Sequence, residues 1–287
     1  MKFLFWFIIK QFYDLGYKLG ILDINDRRRH LKYYYREKMF YYSIWHHFRA
    51  KKRTIQYFNS HIKDADTVIY TCLTGGYDEL LTPNFINPNC DYVCFTDDEK
   101  LIKKSYVGPW KIEKLQFSEL DNGKNNRWHK MHPHLLFPDY NNSIYIDANV
   151  NFKTDKIFEY IRALPSDCFI ALSPHPERDC IYDEAEIVLE GKLDKPEKVY
   201  PLMEKYRAEG FPKHFGLAEN NVIFRHHNHP ECIKLMDEWW DLFLEHSRRD
   251  QLSLFYLFWK NNTNYAFFSS YPFKKDHKNF RMYKHKG

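Results

Sequence analysis

The sequence predicts an α/β fold in which a mixed central sheet is flanked by helices. Short runs of apolar and β-branched residues, bounded by polar or turn-forming residues, recur between amphipathic segments along most of the chain. With 287 residues, the chain fits one large α/β domain or two small ones and can bury a sizeable core. No internal repeat or low-complexity tract interrupts this pattern. Polar residues follow several of the predicted strands.

The first predicted strand covers residues 66–72 and runs into a glycine pair, Gly75-Gly76. Glycine just past a strand lets the backbone approach a ligand closely. No Lys-Ser/Thr pair follows, so this is not a phosphate-binding P-loop, and the dinucleotide glycine pattern is also absent. A plain turn is the alternative interpretation.

The second predicted strand, residues 90–98, ends in the acidic pair Asp97-Asp98. A carboxylate in this position can bond a ribose hydroxyl or a base N–H, as acids past strands do in nucleotide-binding sheets. The same residues suit the start of a helix at Glu99. Both interpretations stay open at this point.

A third strand is predicted over residues 110–115, and a short helix over residues 125–132. Arg127 and Lys130 are three residues apart in that helix and therefore share one face. Two cations on one face can clamp a pyrophosphate. The helix leads towards the next predicted strand.

That next strand, Ile144–Ile146, is apolar and ends in Asp147-Ala148-Asn149. Ligands bind beyond the carboxyl ends of strands in open α/β sheets. A carboxylate followed two positions later by a second oxygen ligand can hold a divalent cation that also binds phosphate oxygens. The alternative is that Asp147 merely ends the strand and starts a turn.

The C-terminal half contains a strand over residues 167–172, followed by a polar block, residues 173–185, in which acceptor-binding or acid–base groups are expected. Helices are predicted over residues 196–209, 231–247 and 252–259. Asp250 precedes the last of these, and the helix N-terminus favours its ionised form. A simple N-cap is the alternative role for Asp250.

The net charge of +5 is concentrated near the N-terminus. Ten Lys or Arg residues face two acids between Asp26 and Arg53. The apolar run Phe3–Ile9 is too short to span a bilayer, but the pattern of residues 1–22 fits an amphipathic interfacial helix. We therefore expect residues 1–63 to form an amphipathic and basic helical arm that meets an anionic membrane surface, and residues 64–287 to form the main domain. A helix packed on the protein's own core is the alternative.

Nucleic acid is not expected as a partner, because no recognition motif accompanies the basic charge. The six cysteines are scattered without Cys-x-x-Cys pairs, which favours a reduced cytosolic compartment. Together with the arm, this predicts a peripheral protein on the cytoplasmic face of the membrane.

Five blocks of the sequence, in this order, resemble the TOD/MUCI-type glycosyltransferase-like domain family, which is of the GT-A type and was formerly a domain of unknown function. The resemblance runs from about Thr67 to the C-terminus, and the N-terminal arm lies outside it. The blocks are Tyr70–Asp78, Asp91–Asp97, Ser143–Asn149, His175–Glu184 and Arg249–Ser253.

The resemblance implies a GT-A-like, Rossmann-like fold and a nucleotide-sugar donor. It places Thr71, Gly75 and Tyr77 near the nucleotide and Asp97 near the base or ribose.

It also makes Asp147-x-Asn149 a variant of the Asp-x-Asp metal motif, so that manganese or magnesium is the expected cation. A late histidine completes the metal shell in similar enzymes; His285 is the candidate here and His277 the substitute. Asn149 departs from the family pattern, and the lost negative charge weakens cation binding.

The function implied is transfer of a hexose-type sugar to a glycan or lipid-linked acceptor in surface polysaccharide synthesis of the capsule or lipopolysaccharide type. A metal and cations would stabilise charge on the nucleoside diphosphate leaving group. An inverting reaction needs a base, for which Asp250 is the first candidate and Glu184 the second. The alternatives are a metal-assisted hydrolase on the same scaffold and a non-catalytic glycan- or membrane-binding protein.

Overall fold

The computed structural model describes residues 48–61 and 65–285 of the chain. The predicted N-terminal arm therefore lies outside the described residues except for residues 48–61, of which 48–60 are helical (α1). Contacts between Cα atoms group residues from Arg53 onwards into one compact unit. The rest of this description concerns that unit.

Ten strands are found in the described part of the chain. They are β1 (Thr67–Leu73), β2 (Cys90–Thr96), β3 (Tyr106–Val107), β4 (Trp110–Lys114), β5 (Asn142–Ile146), β6 (Val150–Phe152), β7 (Ile170–Pro174), β8 (Ala218–Arg225), β9 (Ala266–Phe267) and β10 (Phe280–Met282). Eight of them form one sheet in the order β3-β4-β2-β1-β5-β8-β7-β9, and β6 pairs with β10.

The large sheet is mixed. Strands β4, β2, β1 and β5 run parallel to one another, whereas β8 is antiparallel to both β5 and β7. The parallel strands therefore present their carboxyl ends at one edge, which is where ligands bind in open α/β sheets.

Helices cover both faces of the sheet. Those that follow α1 are α2 (Glu99–Ile102), α3 (Asn122–Met131), α4 (Pro133–Leu136), α5 (Lys156–Arg162), α6 (Ile181–Glu190), α7 (Pro196–Ala208), α8 (Pro230–Glu245) and α9 (Leu254–Lys260), and a single 3-10 turn covers Asp250–Leu252. Alternate residues of β1 enter separate apolar clusters: Val68 and Tyr70 belong to one, Ile69 and Leu73 to the other. Burial on both faces explains why β1 reads as a continuous apolar run. The mixed sheet flanked by helices confirms the predicted fold class.

The C-terminal segment returns to the strand that follows Asp147. Strand β10 pairs antiparallel with β6, with Phe280 opposite Phe152 and Met282 opposite Val150. The Phe280 ring stacks on Phe273 at 3.8 Å between centroids. This pairing, which the sequence did not predict, fixes the chain end next to the carboxyl end of β5, where the assignment of His285 to the metal shell requires it.

Two further findings bear on the sequence predictions. All six cysteines are free and buried. Within residues 48–61 and 65–285, no helix combines the length and the apolar character needed to cross a bilayer.

Candidate active site

A cavity of about 1260 Å³ opens at the carboxyl ends of β1 and β5 and beside β8. Helix α3, the start of α6, the 3-10 turn and the C-terminal segment complete its walls. Most of the predicted site residues line it: Gly75, Tyr77, Arg127, Lys130, Asp147, Asn149, Glu184, Asp250 and His285, together with the substitute His277.

Two predicted nucleotide-binding residues do not line the cavity. Thr71 lies inside β1, 1% exposed, and its hydroxyl has no hydrogen-bond partner. Asp97 follows β2 and accepts a hydrogen bond from the Gly75 N–H at 2.8 Å. Asp97 thus holds the glycine turn at the cavity edge. The helix-start alternative belongs to its neighbour Asp98, which caps α2.

The glycine pair forms a tight turn against helix α3. Gly75 and Gly76 have φ of +63° and +67°, the left-handed region that glycine adopts without steric cost. The Thr74 hydroxyl donates to the Asn122 carbonyl at 2.8 Å, and the Asn126 amide donates to the Cys72 carbonyl at 2.7 Å. These bonds join the end of β1 to the first half of α3.

The three predicted metal ligands line the same cavity, and two of them, Asn149 and His285, are in contact. Asp147 follows β5, and its Oδ1 accepts from the Tyr145 hydroxyl at 2.9 Å. The Asn149 amide nitrogen donates to the Tyr283 carbonyl at 3.0 Å and lies 3.4 Å from His285 Nε2. Carboxylate oxygen, amide oxygen and imidazole nitrogen are suitable donors for manganese or magnesium.

A carboxylate behind His285 sets its tautomer. Nδ1 of His285 lies 2.9 Å from Asp78 Oδ2, and the Tyr77 ring packs on the imidazole at 4.9 Å. With Nδ1–H donating to Asp78, Nε2 keeps the lone pair that a metal needs. The residues present therefore fit a divalent cation, although a bound ion would have to displace the Asn149 amide from Nε2.

Two cations of α3 lie close to Asp147 and Asp250 at the cavity wall. Lys130 Nζ, with the residue 1% exposed, lies 2.6 Å from Asp250 Oδ2 and 4.0 Å from Asp147 Oδ1. Arg127 Nε lies 3.1 Å from the same Asp250 oxygen. The helical spacing of Arg127 and Lys130 places both on the cavity face of α3, as predicted.

Asp250 is held ionised by these partners. Burial raises the pKa of its carboxyl, but the adjacent charges of Lys130 and Arg127 outweigh burial and lower the pKa to about 2. Asp250 is the first residue of the 3-10 turn Asp250–Leu252 and is itself 6% exposed. Its negative charge compensates two cations that would otherwise repel each other.

A buried arginine fixes the position of Lys130. Arg225, on β8 and 0% exposed, donates to the Lys130 carbonyl at 2.7 Å and to the Tyr70 hydroxyl at 2.6 Å. Tyr70 donates to the same Lys130 carbonyl at 3.1 Å. The two side chains bind the last turn of α3 to the sheet, which directs Lys130 into the cavity.

Glu184 lies on the first turn of α6 and is 4% exposed. Its Oε2 accepts from Arg178 Nε at 2.7 Å and lies 3.9 Å from His175 Nε2. His175 Nδ1 accepts backbone N–H bonds from Glu177 and Arg178, which places the proton of the neutral ring on Nε2, towards Glu184. Burial lowers the pKa of His175.

Sequence reasoning missed two residues of the site. Arg249 lines the cavity, and its Nε is buried without a hydrogen-bond partner, an arrangement suited to an anionic ligand. Its place directly before Asp250 was a signal that went unused. The other missed residue is Asp78, whose contact with His285 joins positions 207 residues apart.

Cys180, Asp183 and His214 are the one group of His, Cys, Asp or Glu donors, within the described chain, whose ligand atoms all lie within 4.8 Å of one another. None of the three lines the cavity. The predicted metal ligands in the cavity are a mixed set of one carboxylate, one amide and one imidazole, namely Asp147, Asn149 and His285.

The sequence profile of the TOD1/MUCI70 glycosyltransferase-like domain matches residues 48–285. The chain therefore belongs to this family. The predicted family and the predicted enzyme class, a glycosyltransferase, are confirmed. No curated protein sequence matches the chain.

Some solved structures of glycosyltransferases are similar to this chain at low sequence identity. The apo structure of WbbM, a bifunctional glycosyltransferase, is 9% identical over 72% of this chain and 39% of its own, with a TM-score of 0.44. Mouse xyloside xylosyltransferase 1 is 11% identical over 67% of this chain and 80% of its own, with a TM-score of 0.38. GlyE from Streptococcus pneumoniae TIGR4 is 10% identical over 71% of this chain and 45% of its own, with a TM-score of 0.39. This chain thus spans well under half of the first of these structures.

Proposed function

We propose that this protein transfers a sugar from a nucleotide-sugar donor to a glycan or lipid-linked acceptor, in the synthesis of a surface polysaccharide of the capsule or lipopolysaccharide type. One observation carries the proposal. A single cavity at the carboxyl ends of the strands combines a cationic wall, made by Arg127, Lys130 and Arg249, with the potential cation ligands Asp147 and His285. A nucleoside diphosphate matches both sets of groups.

The cationic wall would bind and stabilise the diphosphate leaving group. Negative charge grows on this group as its bond to the sugar breaks, and preorganised cations in a partly enclosed site lower the energy of that charge. The Lys130 side chain is nearly fully buried and the Arg127 side chain is 27% exposed, so both cations are largely enclosed at the cavity wall. Asp250 holds both cations in place before the donor arrives.

A divalent cation would be held by Asp147, Asn149 and His285, and it would neutralise part of the diphosphate charge. Asp78 would keep the His285 ring in the tautomer that offers Nε2. With a single carboxylate ligand, the protein site is weaker than one with two. Cation binding should therefore depend on the donor phosphates.

The acceptor hydroxyl loses a proton in an inverting reaction, and Asp250 and Glu184 are the two predicted bases. A general base works best when its pKa lies near the working pH. Because the pKa of Asp250 is about 2, Asp250 would hold the cations in place. Glu184 would then act as the base. Glu184→Gln should then lower the turnover rate while leaving nucleotide binding unchanged.

The basic N-terminal segment would keep the enzyme at the cytoplasmic face of the membrane, close to a lipid-linked acceptor. This part of the proposal rests on composition, since the ten cations between Asp26 and Arg53 match an anionic lipid surface. Removal of residues 1–53, which contain all ten cations, should abolish co-flotation with phosphatidylserine-containing vesicles. Equal flotation of the full chain and the shortened chain would refute this attachment.

The experiment that tests the function is thermal unfolding with a panel of nucleoside diphosphates and nucleotide sugars, with and without manganese. A ligand that binds only the folded state raises the melting temperature by mass action. We expect a shift with one nucleotide class that manganese increases and that Asp147→Ala loses. No shift with any nucleotide, for a protein shown to be folded, would favour the hydrolase or binding-protein alternatives.

A further inference from the structure

A second side of the cavity is lined by Glu219, Asn220 and Asn221 of β8, which we call the polar bulge. Asn220 is 4% exposed, yet neither its amide oxygen nor its amide nitrogen has a hydrogen-bond partner. Glu219 Oε2 and Asn221 Oδ1 are likewise buried without partners. Four polar atoms are thus unpaired within three consecutive residues.

A break in strand pairing explains why these side chains reach the cavity. Along β7 and β8, Leu172 pairs with Ile223, but the next residue, Ser173, pairs with Glu219. The intervening residues of β8 have no partner on β7 and form an enlarged bulge. Bulges redirect side chains and are frequent next to active sites.

Leaving these atoms unpaired is costly for the folded protein. A buried polar group without a hydrogen bond destabilises the folded state, and most buried polar groups in proteins are paired. An apolar residue at position 220 would avoid the cost. The retention of an amide here, at the wall of the cavity, indicates that its partners come from a bound ligand.

The kinds of atom that are unpaired identify the ligand class. Three are acceptors, namely Glu219 Oε2, Asn220 Oδ1 and Asn221 Oδ1, and one is a donor, Asn220 Nδ2. A phosphate offers acceptors alone and would be repelled by the Glu219 carboxylate. Sugar hydroxyls both donate and accept, so a polyhydroxy ring satisfies all four atoms.

We propose that the polar bulge binds the hydroxyl groups of the sugar that is transferred, with Asn220 as the residue that recognises them. This inference rests on the proposed function. The bulge adjoins the predicted metal side, because the Asp147 N–H donates to the Asn221 carbonyl at 2.8 Å. A donor whose diphosphate binds beside the Lys130–Asp147 pair would therefore carry its sugar next to Asn220.

The structure offers a matched control for a test of Asn220. Asn125 is also 4% exposed, but its amide oxygen accepts from the Leu120 N–H at 3.0 Å and its amide nitrogen donates to the Leu120 carbonyl at 2.8 Å. Asn125 does not line the cavity. Asn220→Leu and Asn125→Leu therefore remove the same amide group at the same burial. The amide of Asn125 is hydrogen-bonded, whereas that of Asn220 is not.

The first measurement is the melting temperature of the ligand-free variants. Asn220→Leu should keep or raise the melting temperature, since it removes two unpaired polar atoms, whereas Asn125→Leu should lower it by several degrees. A fall of several degrees in both Asn220→Leu and the smaller Asn220→Ala would show that Asn220 supports the fold, and would overturn the proposal.

The second measurement is the affinity for UDP and GDP and for UDP-glucose, UDP-galactose, UDP-N-acetylglucosamine and GDP-mannose, by calorimetry with manganese. For the nucleotide sugar that wild type binds, Asn220→Leu should raise the Kd about tenfold. The Kd of the matching nucleoside diphosphate should stay within about twofold of its wild-type value. An unchanged ratio of these two Kd values would overturn the inference alone. No binding of any nucleotide to wild type would overturn the proposed function, and the inference with it.

Discussion

The carboxylate of Asp78 lies 2.9 Å from Nδ1 of His285, joining the turn after the first strand to the C-terminal end of the chain. The contact orients the imidazole so that Nε2 faces Asn149. Metal-binding histidines commonly donate their other ring N–H to a carboxylate in this way. The pair therefore supports the assignment of His285 to the cation site more directly than its position in the sequence does.

Replacing Asp78 should weaken manganese binding without removing any ligand. In Asp78→Asn the His285 ring loses its charged partner, and the loss of such a partner typically costs about 10- to 100-fold in metal affinity. Titration calorimetry with manganese and nucleotide measures this directly. Asp241→Asn, an exposed acid on α8 away from the cavity, is the control. Equal manganese affinity in both variants would refute a metal role for His285.

Local sequence patterns were sufficient to predict several of the strands and helices around the site. Strand β2 was predicted over residues 90–98 and is observed at Cys90–Thr96, because its apolar run is a contiguous signal, and the two acids lie just beyond its end. The spacing of Arg127 and Lys130 likewise predicted their shared helical face. Both features depend on residues within one or two turns of each other.

The parts that could not be predicted depend on pairing between distant residues. Strand β10 has three residues, and its partner β6 lies about 130 residues earlier, so no local pattern marks either of them. The bulge at Asn220 arises from a register shift between β7 and β8, which a single strand's sequence does not encode. Thr71 was expected near the nucleotide, but its side chain points away from the cavity-lining end of β1 into a small apolar cavity.

Removing Asp250 should destabilise the protein strongly, because it leaves the Lys130 ammonium buried without its nearest counter-ion. Breaking a buried ion pair by removing one partner costs about 3–5 kcal/mol. We expect the free energy of unfolding of Asp250→Ala, measured with urea, to fall by about this amount.

A paired replacement distinguishes loss of the charge partner from loss of packing. Lys130→Met/Asp250→Leu removes both charges and keeps the volume filled, so it should recover most of the stability that Asp250→Ala loses. If the double variant is as unstable as the single one, the unpaired ammonium is not the cause. The double variant should still fail to bind nucleotide, since Lys130 belongs to the cationic wall.

The same ion pair predicts a component of acid denaturation. Asp250 has a pKa of about 2 in the folded protein, below its usual value near 4. A depressed carboxyl pKa stabilises the folded state above the usual pKa, and this stabilisation disappears as the pH falls from about 4 through 2. The stability difference between wild type and Asp250→Asn should therefore be constant from pH 7 to 5 and shrink by about 2 kcal/mol below pH 4. A difference that does not change with pH would contradict the assignment.

The glycine pair gives a prediction in which neighbouring residues act as each other's control. Both Gly75 and Gly76 adopt positive φ, so alanine at either position costs about 1–2 kcal/mol of backbone strain. A Cβ on Gly75 would also lie 3.0 Å from Asn122 Cγ and 3.3 Å from its Cβ, whereas a Cβ on Gly76 would meet nothing within 4 Å.

Gly75→Ala should therefore lower the free energy of unfolding by at least about 1 kcal/mol more than Gly76→Ala, in urea titrations of both variants. Because the crowding comes from one side chain, adding Asn122→Ala should remove this excess and leave the strain that both glycines share. If the two single variants are equally stable, close packing of the turn on α3 does not require glycine at position 75. In that case the role of Gly75 would lie in its approach to the ligand, and nucleotide affinity, rather than stability, would separate the two variants.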